Sequence, residues 1–80
     1  MSKISPLPNK KVIKALENLG FEQIRQKGSH LFMRHPDGRT TIIPVHPTEK
    51  IGKGMINKII KDVKITRDEW IELIKSLIVF

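Results

Sequence analysis

The sequence contains no cysteine and no long hydrophobic run. Without thiols the chain forms no disulfide, no thiolate metal site and no cysteine nucleophile, which suits a reducing compartment. Nowhere do about 18 apolar residues follow one another, as a membrane-spanning helix needs, and the start of the chain lacks the apolar stretch of a secretory signal. We therefore expect a soluble, cytoplasmic protein with no membrane partner.

Acidic residues are also scarce: 8 Asp and Glu stand against 15 Lys and Arg, for a net charge of +7. The excess lies in residues 25–61, where the only acidic residues are Asp37 and Glu49. Lys and Arg contacts to phosphates supply most of the sequence-independent affinity for nucleic acid, so nucleic acid is the first partner to consider. A basic face that serves solubility or binds an acidic protein is the alternative.

The chain has 80 residues and no internal repeat or low-complexity segment. A domain of this size buries only roughly 60% of its unfolded surface, so its core is small. We expect a single domain over residues 1–80, with no room for a large cofactor.

Hydrophobic spacing predicts a first helix that Asn9 can cap and Gly20 can end. Turn residues follow at positions 27–29 and at Pro36-Asp37-Gly38, and they separate segments with strand character. The predicted strands cover residues 21–26, 30–35 and 40–45. The first of these is the weakest prediction because it holds few apolar residues.

Two further helices are predicted after the strands. The second helix begins near Gly52 and has apolar and basic residues on opposite sides. Its apolar side comprises Met55, Ile56, Ile59, Ile60 and Val63. Thr66 and Glu69 have the spacing of a capping box, which begins a third helix. The apolar stripe of this helix comprises Trp70, Ile71, Leu73, Ile74, Leu77 and Ile78.

The predicted order of elements is helix, three strands in a meander, helix, helix, which gives an α+β fold. An antiparallel sheet can be covered by helices on one face and stay open to solvent on the other. The open face is therefore the place where we expect a functional site.

All three histidines lie between residues 30 and 46. Alternate residues of a strand point to opposite faces, so His30, Phe32 and Arg34 share one face while His35 faces the other way. His30 and His35 therefore cannot bind one ion, and zinc normally needs three or four convergent ligands. We expect no metal site. His35 is interpreted as a solvated turn residue, and His46 either bonds to the backbone of its loop or supplies a second group near a site.

His30 differs from the other two because it follows the small residues Gly28 and Ser29, which let a ligand approach the backbone closely. Basic residues lie on either side of it: Arg25, Lys27 and Arg34. Imidazole titrates near neutral pH, so a histidine beside a bound phosphodiester can accept or donate a proton. On the residues alone, an ordinary surface histidine on a basic strand remains the alternative.

These motifs together resemble the HicA (YcfA-like) family of mRNA interferase toxins. The resemblance rests on Gly28-Ser29-His30, on Val45-His46-Pro47 after the third strand, and on the glycine-containing start of the second helix. It extends from the first helix to the third.

The resemblance implies a fold like the double-stranded RNA-binding domain, with His30 as the catalytic residue of a metal-independent endoribonuclease that needs no cofactor. It also implies the toxin role in a type II toxin–antitoxin pair, with mRNA as substrate and a HicB-type antitoxin as protein partner. The sequence departs from this pattern at its end, where the third helix stays apolar to Phe80. That end either packs on the domain or meets a partner, which leaves the oligomeric state open.

As a mechanism we expect the ribose 2′-OH to be the nucleophile and His30 to be its general base. Neighbouring Lys and Arg side chains, with the backbone N–H groups of Gly28 or Ser29, would stabilise charge on the phosphate. The leaving oxygen needs an acid, for which His46, a lysine or water are candidates. By analogy with double-stranded RNA binders, Lys53 and Lys58 of the second helix are predicted to contact RNA, unless they only face solvent.

Two other functions are compatible with the residues. A noncatalytic RNA- or DNA-binding module would bind RNA without cutting it. A protein-interaction domain would bind an acidic partner through the basic face and would have no RNA affinity.

Overall fold

The computed structural model describes residues 4–47 and 49–77. The elements in chain order are β1 (Leu7–Pro8), α1 (Asn9–Leu19), β2 (Glu22–Lys27), β3 (His30–Arg34), β4 (Thr40–Pro44), β5 (Lys50–Ile51), α2 (Lys53–Val63) and α3 (Arg67–Ser76). The expected α+β order of helix, three strands and two helices is confirmed. The predicted apolar residue Ile78 and the end of the third helix beyond residue 77 lie outside the described residues. No helix within the described part of the chain is long and apolar enough to cross a membrane.

Strands β2, β3 and β4 form an antiparallel sheet in that order. A two-residue turn joins the first pair, because Lys27 lies opposite His30 and only Gly28 and Ser29 stand between them. Gly28 has a φ of +59°, which suits the first position of a tight hairpin turn and favours glycine. This turn sets the register that places His30 at the start of β3.

The sequence did not predict the short sheet that β1 and β5 form. Leu7 lies opposite Ile51, and Pro8 lies opposite Lys50, in an antiparallel pair. Ile51 is buried, so the pairing attaches the segment before α1 to the segment before α2.

Helix α1 begins differently from the prediction, in which Asn9 was the cap. Pro8 holds the capping position without a side-chain hydrogen bond, and Asn9 is already helical. The amide of Asn9 instead donates to the backbone carbonyl of His46 at 3.0 Å. The helix ends at Gly20 as predicted, with φ +112°. There the N–H of Phe21 donates to the carbonyl of Leu16 at 2.9 Å, which closes the last turn.

One face of the sheet packs on the helices and forms the core. Leu31, Met33 and Ile43 are buried there beneath α1 and α2. The helical core residues are Val12, Ala15, Leu16, Ile56, Ile59, Ile60, Val63 and Trp70. Met55 was predicted on the apolar side of α2, but it is 37% exposed and does not belong to the core.

The opposite face of the sheet is open to solvent, as expected. In β3 exposed or half-exposed residues alternate with buried ones, and β4 alternates in the same way. All six residues of β2 are exposed, so the helices do not cover this edge strand. The open face and the uncovered edge together leave His30 and the residues opposite it accessible.

The join between α2 and α3 has the predicted capping box. The hydroxyl of Thr66 accepts from the N–H of Glu69 at 3.0 Å, and the carboxylate of Glu69 accepts from the N–H of Thr66 at 2.7 Å. Such a cap is typically worth about 1 kcal/mol. Trp70 follows it and is buried, so the capping box positions the main anchor of α3 in the core.

Candidate functional site on the open sheet face

A depression of about 520 Å³ lies on the open face of the sheet, a size within the range of sites for small ligands. Its lining consists of Arg25, Lys27, His30, Phe32 and Ile42. Three of these residues were predicted site residues, and each of the three sheet strands contributes to the lining.

Strand register explains why these side chains converge. On the open face, Lys27 lies opposite His30, and Arg25 lies opposite Phe32. Phe32 in turn lies opposite Ile42 of β4. Residues directly opposite each other in antiparallel strands have Cβ atoms roughly 4.5–5.5 Å apart, so the lining residues are direct neighbours.

The β2–β3 turn that carries His30 is held by hydrogen bonds on both sides. The N–H of Val45 donates to the carbonyl of Ser29 at 2.8 Å, which ties the turn to the end of β4. The side-chain amide of Gln26 donates to the carbonyl of Gly28 at 3.0 Å. These contacts hold the backbone of the turn that precedes His30.

The cations beside His30 are available to a ligand. Within residues 4–47 and 49–77, no ion pair involves Arg25 or Lys27. Both lie on β2, whose residues are all exposed. The depression is therefore cationic along the β2 side.

Arg34 shares the open face with His30 but does not line the depression. A register shift between Gln23 and Arg25 brings Glu22 opposite Arg34. Arg34 thus has an acidic neighbour across the strand pair, whereas Arg25 has Phe32. This difference makes Arg25 the stronger candidate for contact with an anion.

Helix α2 lies behind β4, on the covered face of the sheet. The hydroxyl of Thr41, a buried residue of β4, donates to the carboxylate of Asp62 at 3.1 Å. The guanidinium of Arg39 donates to the carbonyl of Val63 at 2.6 Å. Both contacts place the C-terminal end of α2 beside the start of β4.

The helix begins at Lys53, at the end opposite these contacts. Lys58 lies in the middle of the helix, and its ammonium forms an ion pair with Asp62 at 3.0 Å. Neither lysine lines the depression. Unlike Lys58, Lys53 has no such pair among the described residues.

His46 follows β4 by two residues and is exposed. Its backbone carbonyl accepts the hydrogen bond from Asn9, a contact that does not involve the imidazole and tests neither of its two predicted roles. Its side chain does not line the depression. His46 therefore lies beyond the end of β4, the strand whose Pro44 is opposite His30.

His35 is not the solvated turn residue that was predicted. It is half-buried, and its ring packs edge-on against Phe21 with the ring centroids 5.2 Å apart. Its Nδ1 accepts from the N–H of Asp37 at 3.1 Å when the ring is neutral, and it lies 3.0 Å from the Asp37 carboxylate, to which a protonated ring would donate. The prediction was wrong about how His35 packs. Its ring contacts Phe21, which follows the end of α1 and does not belong to the hairpin.

The β3–β4 hairpin is held by a second ionic contact. Arg39 donates from its Nε to both carboxylate oxygens of Asp37, at 3.1 and 2.9 Å, and its guanidinium lies 5.3 Å from the centre of the Phe21 ring. The hydrogen bond from the Arg39 side chain is the largest cause that holds the pKa of Asp37 below its ordinary value. This cluster stiffens the far end of the hairpin, away from His30.

No group of three or more His, Cys, Asp or Glu residues within the described parts of the chain is arranged to hold a metal ion. Sequence reasoning missed two residues of the depression, Phe32 and Ile42. Ile42 is 48% exposed, and the hairpin register that pairs it with Phe32 was the signal that could have located it.

Fold and site together define a small α+β domain with a cationic depression around a histidine on its open sheet face. Residues 10–65 match the family model described as the HicA toxin of bacterial toxin–antitoxin systems. Because the match covers more than half of the chain, the protein belongs to the HicA toxin family, and an antitoxin is the partner that such a toxin implies. The matched span includes the whole depression, while α3 lies beyond it. No curated protein matches the chain.

Proposed function

We propose that the protein is an endoribonuclease that cleaves mRNA, and thereby inhibits translation and growth, with His30 as its catalytic residue. One observation carries this proposal: His30 is exposed on the open sheet face, beside the cations Arg25 and Lys27, within the residues that match the toxin family. Neither of the other two histidines lines this depression.

The reaction uses the ribose 2′-OH as its nucleophile. His30 in its neutral form removes the proton from that hydroxyl, whose oxygen then forms a bond to the adjacent phosphorus. General base catalysis of this kind typically contributes about 10²- to 10⁴-fold in rate. Arg25 and Lys27, with the backbone N–H groups of Gly28 and Ser29, stabilise the charge that develops on the phosphate oxygens.

The bond from phosphorus to the 5′ oxygen breaks in the same displacement, and that oxygen needs a proton. His46 is one candidate donor, because it follows Pro44 by two residues and Pro44 lies opposite His30. A lysine or a bound water can serve equally well. An internal nucleophile also removes the need for a metal-activated water, so we expect cleavage to persist without metal ions or another cofactor.

The proposed partners are RNA and a HicB-type antitoxin that acts in the cytoplasm with the toxin. An antitoxin that neutralises this site has to cover the depression or block the RNA path across the open face. The cations Arg25 and Lys27 on this face favour an acidic binding surface on such a protein.

The test compares a labelled single-stranded RNA with its 2′-deoxy counterpart, each incubated with the purified protein and a chelator. We expect cleavage of the RNA only, because only RNA carries the 2′-hydroxyl. RNA that is bound but stays intact would instead indicate a noncatalytic binding module. Failure to bind RNA at all would favour a domain that binds an acidic protein.

A further inference from the structure

The outer strands of the sheet present different chemistry on its open face. The side chains of β2 on this face include the cations Arg25 and Lys27. Those of β4 include the apolar residues Ile42 and Pro44. Strand β3 runs between them and presents His30 and Phe32 to the same depression.

Core packing does not account for Phe32 and Ile42. Within the described chain, neither residue belongs to the hydrophobic core or packs against it. The core positions of the same strands are occupied instead by Leu31, Met33 and Ile43. An aromatic ring and an aliphatic side chain left together on a wet surface, beside cations, indicate a ligand with a flat apolar part and a negative charge.

We propose that Phe32 is the stacking platform for one nucleobase of a single-stranded RNA, with the phosphates along β2 and the bases directed over Phe32 and Ile42 toward β4. The proposal rests on the proposed function, because it assigns the RNA path through the site of His30. It assigns a binding subsite that also defines the substrate class, single-stranded rather than paired RNA.

The spacing along β3 supports this arrangement. His30 and Phe32 are two residues apart on the same face, which corresponds to about 6.6 Å along the strand. A base stacked on Phe32 therefore places the sugar and phosphate of an adjacent nucleotide beside His30. Lys27 opposite His30 and Arg25 opposite Phe32 then each lie next to a phosphate.

The same geometry argues against a double helix on this face. In A-form RNA the bases are stacked within the duplex, and the deep, narrow major groove does not admit side chains. A base can stack on Phe32 only when it is turned out of a strand that is unpaired. Aromatic residues on an open sheet next to cations bind single strands in this way, with little dependence on sequence.

The experiment measures RNA binding by fluorescence anisotropy in the His30→Ala background, which prevents cleavage during the measurement. The probes are a short labelled single-stranded RNA and the same RNA annealed to its complement. Phe32→Ala should weaken binding of the single strand roughly 5- to 150-fold, the range known for the loss of one base–aromatic contact. Phe32→Trp should keep the affinity, and Phe32→Leu should give an intermediate value.

Met55→Ala is the matched control, because Met55 is an exposed apolar residue on α2, which packs on the other side of the sheet. It should leave binding unchanged, and thermal melting should show that all variants are folded. Equal single-strand affinity of the Phe32→Ala and Phe32→Trp variants would overturn the stacking proposal, as would tighter binding of the duplex than of the single strand.

The two proposals fail in different ways. If the wild-type protein cleaves RNA but Phe32→Ala binds normally, the stacking platform is wrong and the nuclease assignment stands. If RNA stays intact while Phe32→Ala loses binding that Phe32→Trp restores, the platform stands and the nuclease assignment is wrong.

Discussion

His30 and His35 bracket one strand, yet their side chains have opposite surroundings. His30 is exposed beside cations, whereas His35 packs on Phe21 behind the sheet. Alternation along the strand predicted that the two would face different sides, because this depends only on backbone geometry. The packing of His35 was not predictable from the hairpin, because Phe21 and Gly20 reach it from the end of α1.

Gly20→Ala should destabilise the protein by about 1–3 kcal/mol, because a φ of +112° strains a residue with a side chain. In addition, a Cβ atom at this position would lie 2.7 Å from the His35 Nε2 atom. The free energy of unfolding from urea denaturation measures the effect. Gly54→Ala is the control: it lies in α2 with open space around it and should be neutral or stabilising by up to about 1 kcal/mol. Equal effects of the two substitutions would contradict this account of Gly20.

Asp37→Asn should remove a stability contribution that depends on pH. The hydrogen bond from Arg39 lowers the pKa of Asp37 in the folded protein, so its contribution is fully present above the ordinary value of 3.8 and is lost as the pH falls through the lowered pKa. The wild-type protein should therefore be slightly more stable than the variant at neutral pH, and the two should converge in acid. Urea midpoints measured from pH 7 down to about pH 2 test this; a difference that grows in acid would have the wrong sign.

At the scale of elements, long segments with clear periodicity were predictable and short ones were not. The capping box of Thr66 and the end of α1 at Gly20 follow from local chemistry that involves neighbouring residues only. The β1–β5 pair has two residues per strand, which is too short for an alternating pattern. Asn9 is a residue type that often caps helices, but its side-chain amide donates to the carbonyl of His46. This contact joins distant parts of the chain, so no local pattern reveals it.

Helix α2 leads to a prediction about RNA contacts outside the depression. Lys53→Glu should weaken the binding of an RNA longer than the sheet and should reduce the slope of log affinity against log salt by about one, because one phosphate contact is lost. The physical reason is that Lys53 lies at the N-terminal end of α2, where free backbone N–H groups also favour a phosphate. The measurement is anisotropy over a salt series.

Lys58→Glu is the matched substitution on the same helix, with the same change of charge. Because Lys58 is already paired with Asp62, its effect on the salt slope should be smaller than that of Lys53→Glu. A larger effect at Lys58 would show that RNA follows the middle of α2, as in the analogy with double-stranded RNA binders, and not its N-terminal end.

At the scale of the whole molecule, the two faces of the sheet differ in burial and in charge. The helices cover one face and supply the core, and the other face stays open, with the cations Arg25 and Lys27 on its edge strand. The sequence predicted this division from the order of elements and from alternation in β3. It did not predict that β2 lies wholly outside the helical cover, because this depends on how far the helices extend beneath the sheet. Ile42 joins the depression through the strand register that pairs it with Phe32.

The most direct test of the nuclease assignment compares the rate of RNA cleavage by the wild-type protein with that of His30→Gln, which keeps a polar side chain but has no group that titrates near neutral pH. The account predicts a loss of about 10²- to 10⁴-fold in rate, with RNA binding and thermal stability unchanged. A folded His30→Gln protein that cleaves RNA as fast as the wild type would contradict it.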